Sequence, residues 1–408
     1  MARNGRRNWG WLVAGAALAG AATLGAACSS GDQKTDIVSS RSYRGHESDV
    51  DITNFVNVYP ATVGSRLDDC QTCHTGFTFH ESDGGQAVSV NPCDYCHMIQ
   101  NPASGYMEPM PTDYTQVLNP YGLDYLHSGR SRDALAAIGP VDSDGDAYGN
   151  EAEIADLKYP GDPSSHPGQQ TVPMRVFGMD ELKGMAATSE FLLANSTRQQ
   201  FDFYATYKGP TVHDLLVAAG VDPTDGAIQG VTIIAPDGYL QDVTMIQVNN
   251  AFPAGLYYAG LDQTTLGQQC GFVTYPDALP GGLTSGGPIP GTPWLVLAYE
   301  RDGGPLDPSV LDPTTASLQG EGPFRLIVPQ STPGSPDRGS KYTPSGCNDA
   351  YDYDQNKDHN AGSMVRGVVA IRVNPIPTGY EDFDYRNGGW AFIANQTVGV
   401  YGYGVAAQ

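Results

Sequence analysis

The strongest constraint on what this chain can fold into is a five-residue pattern that occurs twice, as Cys70-Gln71-Thr72-Cys73-His74 and Cys93-Asp94-Tyr95-Cys96-His97. Cys-x-x-Cys-His is the signature of c-type haem attachment. The paired cysteines form thioether bonds to one porphyrin, and the His that follows reaches the iron as its proximal ligand. One turn of chain must meet both vinyl groups and the metal, which fixes the spacing. Two Cys-x-x-Cys pairs would also suit a zinc site with four thiolates, or a redox dithiol. Both of those readings leave His74 and His97 without a role. With 7 Cys and 8 His in 408 residues, a double coincidence is implausible. The expectation is two haem c groups held as neighbours, since His74 and His97 stand only 23 positions apart.

The sixth iron ligand separates electron transfer from small-molecule chemistry. A His or Met there favours the first, an open place the second. His46 and His80 are the preferred sixth ligands. His127 and His166 are the other histidines in this part of the chain, and Met107 and Met110 are weaker candidates.

The N-terminus reads as an export signal. Arg3, Arg6 and Arg7 precede a run from Trp9 to Ala27 rich in Ala, Gly, Leu and Val, with small residues before Cys28 and polar ones after it. These are the basic, apolar and small-residue regions of a secretory leader. The run also resembles a bacterial lipoprotein signal, in which Cys28 becomes the acylated first residue. Leu24 lies one place further from the cysteine than the commonest pattern. Simple secretion and an uncleaved anchor are the competing readings. Acylation would hold the protein at a membrane without a spanning helix, and no other stretch is apolar and long enough to span. The expected location is exported and lipid-anchored to the outer membrane, on its periplasmic or cell-surface face. Export also favours a disulfide between the remaining pair, Cys270 and Cys347.

The chain carries 22 basic and 45 acidic side chains, for a formal charge of −23. Losing residues 1–27 removes three arginines and no acid, which takes the charge to −26. Such a surface argues against a nucleic-acid partner, which calls for a positive patch. It suits solubility outside the cell, or attraction of cations and basic redox partners.

Gly (50) and Pro (30) are in excess, so the chain is turn-rich. Residues 1–27 are the leader, 28–45 a polar tether, 46–168 the haem domain and 171–408 a second domain. The breaker cluster from Pro160 to Gly168 marks the boundary. The first domain should be small, irregular and mainly helical, with turns at Asn54–Val58 and Arg132–Ile138. The second should be β-rich. Its expected strands are Val231–Ala235, Trp294–Tyr299, Phe324–Val328, Val365–Val373 and Trp390–Ala394. Val212–Ala219 reads as a helix stopped by Gly220. The fold class is therefore α+β.

Asp142, Asp144, Asp146, Asn150 and Glu153 fall at positions one, three, five, nine and twelve of an EF-hand loop, with the Tyr148 carbonyl at seven. Position six should be Gly and is Ala147, which puts the sharpness of the turn in question. A structural Ca2+ is expected here. An acidic loop ahead of a helix from Glu151 to Leu157 is the plainer reading.

Residues 46–168 resemble the haem domain of outer-surface cytochromes of metal-reducing bacteria. The matching pieces are Arg66 to His74, Asn91 to His97, Leu118-Asn119-Pro120-Tyr121-Gly122, and the Asp142 loop with Tyr159-Pro160-Gly161-Asp162-Pro163. Residues 174–330 resemble the molybdopterin-binding domain of sulfite oxidases. The pieces are Tyr207 to Gly220, Ala235 to Tyr239, Leu297 to Leu306, and Gly320 to Pro329. Gly320-Glu321-Gly322-Pro323 also resembles the namesake motif of a dihaem family. The resemblance implies a molybdopterin-binding-like fold. Catalytic members hold molybdenum through a Cys ahead of the Gly-Pro-helix segment, and no Cys stands between Cys96 and Cys270. Molybdopterin is therefore not expected.

Three functions remain open at this stage. The leading one is an electron carrier rather than an enzyme, serving redox partner proteins or extracellular acceptors. The second is a molybdenum-dependent oxidoreductase that passes electrons to its own haems. The third is a surface-binding protein whose haems are structural. Asp349 to Asp354 reads as a solvated loop, and His213 and His359 as packed or surface residues.

Overall fold

A computed structural model describes residues 50–68, 72–73, 77–80, 87–90, 115, 118–197, 202–267, 270–312, 317–338 and 349–405. The expected leader, Cys28, the tether and His46 lie outside them.

Among the described residues, four short helices build the first part: α1 (Val50–Val58), α2 (Pro120–His127), α3 (Arg132–Ile138) and α4 (Asn150–Ala155). Their starts are written locally. Asn119 caps α2 by accepting from the Gly122 N–H, with Pro120 in the first turn, and Ser131 caps α3 by accepting from Ala134. Such caps satisfy donors the helix cannot. The helices pack around Phe55, Leu67, Tyr121, Tyr125, Leu135, Ile138, Ile154 and Tyr159. A two-stranded antiparallel hairpin joins Phe77–His80 to Ala87–Val90.

The second part is built on two sheets. The first runs in the order Met174–Gly178, Thr397–Gly402, Ala370–Asn374, Gly230–Ile234, Leu240–Val243, and only its Ala370–Asn374 and Thr397–Gly402 pair is parallel. The second centres on Asp202–Gly209, flanked by Thr188–Ala194 and Glu300–Arg301. Strand side chains alternate between faces. Val231, Ile233, Ile371, Val373, Val398 and Val400 therefore point into one core shared with Leu192, Ala205 and Tyr207 of the second sheet. Ile234, Ala370 and Tyr401 point the other way, into a smaller cluster. Helices and several sheets together are compatible with the expected α+β class.

The short sequence between strands is also legible. The Lys208 and Pro210 carbonyls accept from Tyr299 and Leu297, and a Cβ on Gly209 would lie 2.0 Å from the Leu297 carbonyl oxygen. Only glycine admits that approach, after which Thr211 caps the helix Val212–Ala218.

Two strand expectations fail. Trp390–Ala394 lies inside a helix, Tyr385–Asn395. Tyr385, Phe392 and Ile393 stand seven and eight positions apart on one helical face, and pack against the smaller cluster beside the first sheet. A short apolar run does not by itself distinguish strand from helix. Of Val365–Val373, only Ala370 onward joins the sheet; Arg366 makes an isolated bridge to Arg325.

The expected boundary is a folded joint. Ser165 is 1% exposed. Glu381, 5% exposed, accepts from Arg66 at 2.6 Å, Lys158 at 2.5 Å and Ser165 at 2.7 Å. Gln170–Thr171 pairs with Tyr380–Glu381 in parallel. Arg66 also lies over the Tyr159 ring and 3.1 Å from Asp384. Burial pushes the Glu381 pKa up, but Lys158, Ser165 and Arg66 outweigh it and hold the group below its ordinary 4.5. Its stabilising contribution is thus in place above pH 4.5 and lost as pH falls through the lowered folded value. Glu381→Ala should cost about 3 kcal/mol, because it strands buried cations. It should also flatten the acid limb of stability against pH. Urea unfolding between pH 3 and 7 checks both; a loss below about 0.5 kcal/mol would mark the cluster as an ordinary surface pair.

Candidate haem-attachment and cation sites

Thr72 and Cys73 are the described members of the haem motifs. Cys70, His74, Cys93, Cys96 and His97 lie outside the described residues, as do Met107 and Met110. His80 ends the strand Phe77–His80, and its side chain is not described. His127 ends α2 and is exposed.

The segment carrying Cys73 is gripped by its backbone. Asn119 donates its N–H to the Cys73 carbonyl at 3.0 Å and its side-chain amide to the Thr72 carbonyl at 3.2 Å. Thr72, 3% exposed, donates its hydroxyl to the Leu67 carbonyl at 2.7 Å. A Cβ on Gly122 would sit 2.1 Å from the Cys73 carbonyl oxygen, so only glycine fits. Leu118-Asn119-Pro120-Tyr121-Gly122 is therefore a clamp on the first motif as well as a helix start. Its role was not visible in sequence, because 45 residues separate Asn119 from His74.

Cys73 packs against the aromatic cluster of Phe55, Tyr121 and Tyr125. Burial, then the charge of Asp51, push its thiol up to about 12.

The acidic loop is formed as the spacing predicts. The Asp142, Asp144 and Asp146 carboxylates converge within 4.8 Å of one another. Asp142 accepts from the N–H groups of Gly145, Asp146 and Ala147. Asp144 accepts from Asp146, and Asp146 from Tyr148. Ala147 takes φ +80°, so the turn is made without glycine. That conformation costs an L-residue about 1 kcal/mol. Helix α4 begins at Asn150 rather than Glu151, and ends at Ala155 rather than Leu157. Asn150 and Glu153 are both fully buried on it. Asn150 donates to the Ile138 carbonyl and to Ser143, which leaves its Oδ1 without a partner. Both Glu153 oxygens, Asp144 Oδ2 and Asp146 Oδ2 likewise lack partners. Burial, then Asp144, Asp146, Asp142 and Asp162, push the Glu153 pKa up to about 8. Tyr148 stacks its ring on His166 at 5.1 Å.

In the second part, Glu321 of the Gly-Glu-Gly-Pro piece lies 2.6 Å from Arg301 and 2.7 Å from Arg325, so its charge holds the structure together. His359 lies 3.2 Å from both oxygens of Asp337, which is fully buried, and stacks on Tyr353. Sequence gave no hint of that pair, 22 positions apart. His213 is exposed beside Asp214. No disulfide has both of its cysteines among the described residues; Cys270 is disulfide-bonded and Cys347 lies outside them. Glu190, 6% exposed, accepts from the Trp294 N–H at 2.6 Å, and its Oε2 has no partner. Burial pushes its pKa up to about 8. Among the described residues no helix is long and apolar enough to cross a membrane.

Comparison of the chain with protein families, with curated proteins and with solved structures finds no match.

Two expectations follow. Asn119→Ala removes a helix cap and frees the Thr72 carbonyl, while the backbone N–H at 119 still reaches Cys73, and should cost about 2 kcal/mol in urea unfolding. A cost no larger than that of Asp133→Ala, an exposed acid on α3, would deny the clamp. Glu190 has a folded pKa above its unfolded one, so its contribution is full below pH 4.5 and lost as pH rises through 8. Glu190→Gln should therefore leave the melting temperature at pH 4 nearly unchanged and raise it at pH 9. Equal shifts at both pH values would contradict this.

Proposed function

We propose that this chain is a dihaem c-type cytochrome that transfers electrons at the cell envelope. It is an exported electron carrier, anchored to the outer membrane through acylated Cys28. Its partners are redox proteins or extracellular acceptors. The observation that carries this reading is the repeated Cys-x-x-Cys-His in a chain that begins with an export signal.

When bound, each haem supplies an iron that cycles between Fe(III) and Fe(II) at a potential set by axial ligands and burial. The chain's own residues do the rest. Asn119, Thr72 and Gly122 fix the backbone of the first motif. Phe55, Tyr121 and Tyr125 belong to the apolar cluster against which Cys73 packs. His74 and His97 would bind the irons, with His46 and His80 as sixth ligands. The second part serves as a docking or ligand-binding module, held to the first by Glu381.

A molybdenum oxidoreductase is the competing reading. It requires a thiolate where this chain has none between Cys96 and Cys270, and a disulfide-bonded Cys270 does not offer one.

Protein matured in a host competent for c-type haem should carry two covalent porphyrins by mass spectrometry. The double change of Cys70 and Cys73 to Ala should leave one. Potentiometric titration should show both haems exchanging electrons with an external acceptor, and metal analysis should find no molybdenum. Absence of added porphyrin mass, or full extraction of colour by acid–acetone, overturns the reading. Stoichiometric molybdenum would favour the enzyme. Haems that fail to exchange electrons would favour a structural role.

A further inference from the structure

We propose that Asp142, Asp144, Asp146 and Glu153 hold one divalent cation of the calcium class, and that this ion fastens the platform gripping the first haem-attachment segment. The inference is independent of haem chemistry, because every group in it belongs to the folded chain.

Convergent aspartates alone would not carry it. The decisive group is Glu153. It is fully buried, and among the described residues neither of its carboxylate oxygens meets a hydrogen-bond donor. A buried carboxylate with no donor is tolerated when a cation completes it. Asn150 and Glu153 lie three apart on α4 and so share a face. Asp144 and Asp146 spend one oxygen on a loop N–H and leave the other buried and open. Asp142 accepts at both oxygens, from Gly145 and Asp146 at Oδ1 and from Ala147 at Oδ2, which fixes the turn.

The ligands decide the metal class. All are oxygens, four of them on carboxylates, with neither thiolate nor imidazole among them. Such a set selects hard cations over zinc or copper. Mg2+ demands tight octahedral geometry and keeps its waters, whereas a loop of several carboxylates suits the larger Ca2+.

The site is connected to the haem segment through named bonds. Ser143, inside the loop, accepts from Asn150 and donates to Asp124 on α2 at 2.8 Å. The cap of α2 is Asn119, which holds Thr72 and Cys73. On the other side, Asp162 of the breaker segment adds its charge to Asp144 and Glu153. An ion here would therefore tie together the loop, α2 and α4, and would neutralise acids contributed by the joint to the second part.

The test uses full-length, haem-loaded protein stripped with EDTA. Calorimetric titration with CaCl2 should show one site per chain, with weaker binding of MgCl2. Calcium should raise the melting temperature and slow proteolysis between residues 139 and 150. Glu153→Gln should lower calcium affinity by more than about tenfold, the least that even an outer-sphere partner of a metal site costs. It should also raise the melting temperature of the stripped protein, since a repelled buried charge is gone. Asp133→Asn is the control and should change neither. If Glu153→Gln fails to fold, Asp146→Asn, which is less buried, gives the same affinity readout. No calcium binding by the wild-type chain, or wild-type affinity in both variants, overturns the proposal. Haem content is followed by absorbance in the same samples, so a failure here is distinguishable from a failure of the cytochrome reading.

Discussion

Everything about how the two parts of this chain relate depends on the burial of one carboxylate. Glu381 sits where water scarcely reaches, and it accepts from Arg66, Lys158 and Ser165 at once. A carboxylate moved out of water without such partners would cost several kcal/mol. The three donors come from the helical part and from the breaker segment, while the acceptor lies in sequence between the sheet strands Ala370–Asn374 and Thr397–Gly402. The adjoining ladder fixes the Glu381 backbone as well. A segment whose composition suggests a hinge is thereby made a joint. A docking module attached in this way would hold a bound partner at a constant distance from the haem part, which a flexible linker would not.

Three buried glutamates and one partly exposed, Glu321, show how the same side chain is accommodated in different ways. Glu381 is matched by cations and a hydroxyl, and its pKa falls. Glu321 is matched by Arg301 and Arg325. Glu190 receives a single backbone N–H, which does not offset burial, so its neutral form is favoured. Glu153 receives no hydrogen bond from the described residues, and the charges that raise its pKa are negative. Only in the last case does the environment ask for something from outside. That contrast, drawn within one molecule, separates the Asp142 loop from the many acidic surface turns of a chain with 45 acids.

What the sequence disclosed, and what it hid, divides by range. Local rules worked. Arg132–Ile138 begins at a Ser cap and stops before Gly139-Pro140, and the helix spans those residues. Val212–Ala219 differs by one residue. Of the spacing from Asp142 to Glu153, the loop brings the Asp142, Asp144 and Asp146 carboxylates together, even with Ala147 in the left-handed region. Longer-range physics did not show. Trp390–Ala394 reads equally as strand or helix until its partners, Ile234 and Tyr401, are in place. The pairing of His359 with Asp337 depends on a chain path that no local pattern encodes. The same holds for the meeting of Arg66 with Glu381, 315 residues away.

The clamp on the first haem motif explains how one motif can be fixed while its variable positions differ. Asn119 and Gly122 recognise only backbone carbonyls and the absence of a side chain. Of the two residues between Cys70 and Cys73, Thr72 is committed, because its hydroxyl is spent on Leu67. A backbone grip orients the cysteine without drawing on its sulfur, which leaves that atom for covalent chemistry. It also resists motion, because the Thr72 and Cys73 carbonyls are both bonded to Asn119. Under the proposed function such a support would favour electron transfer, since an iron held by a fixed frame would change charge with little rearrangement around it.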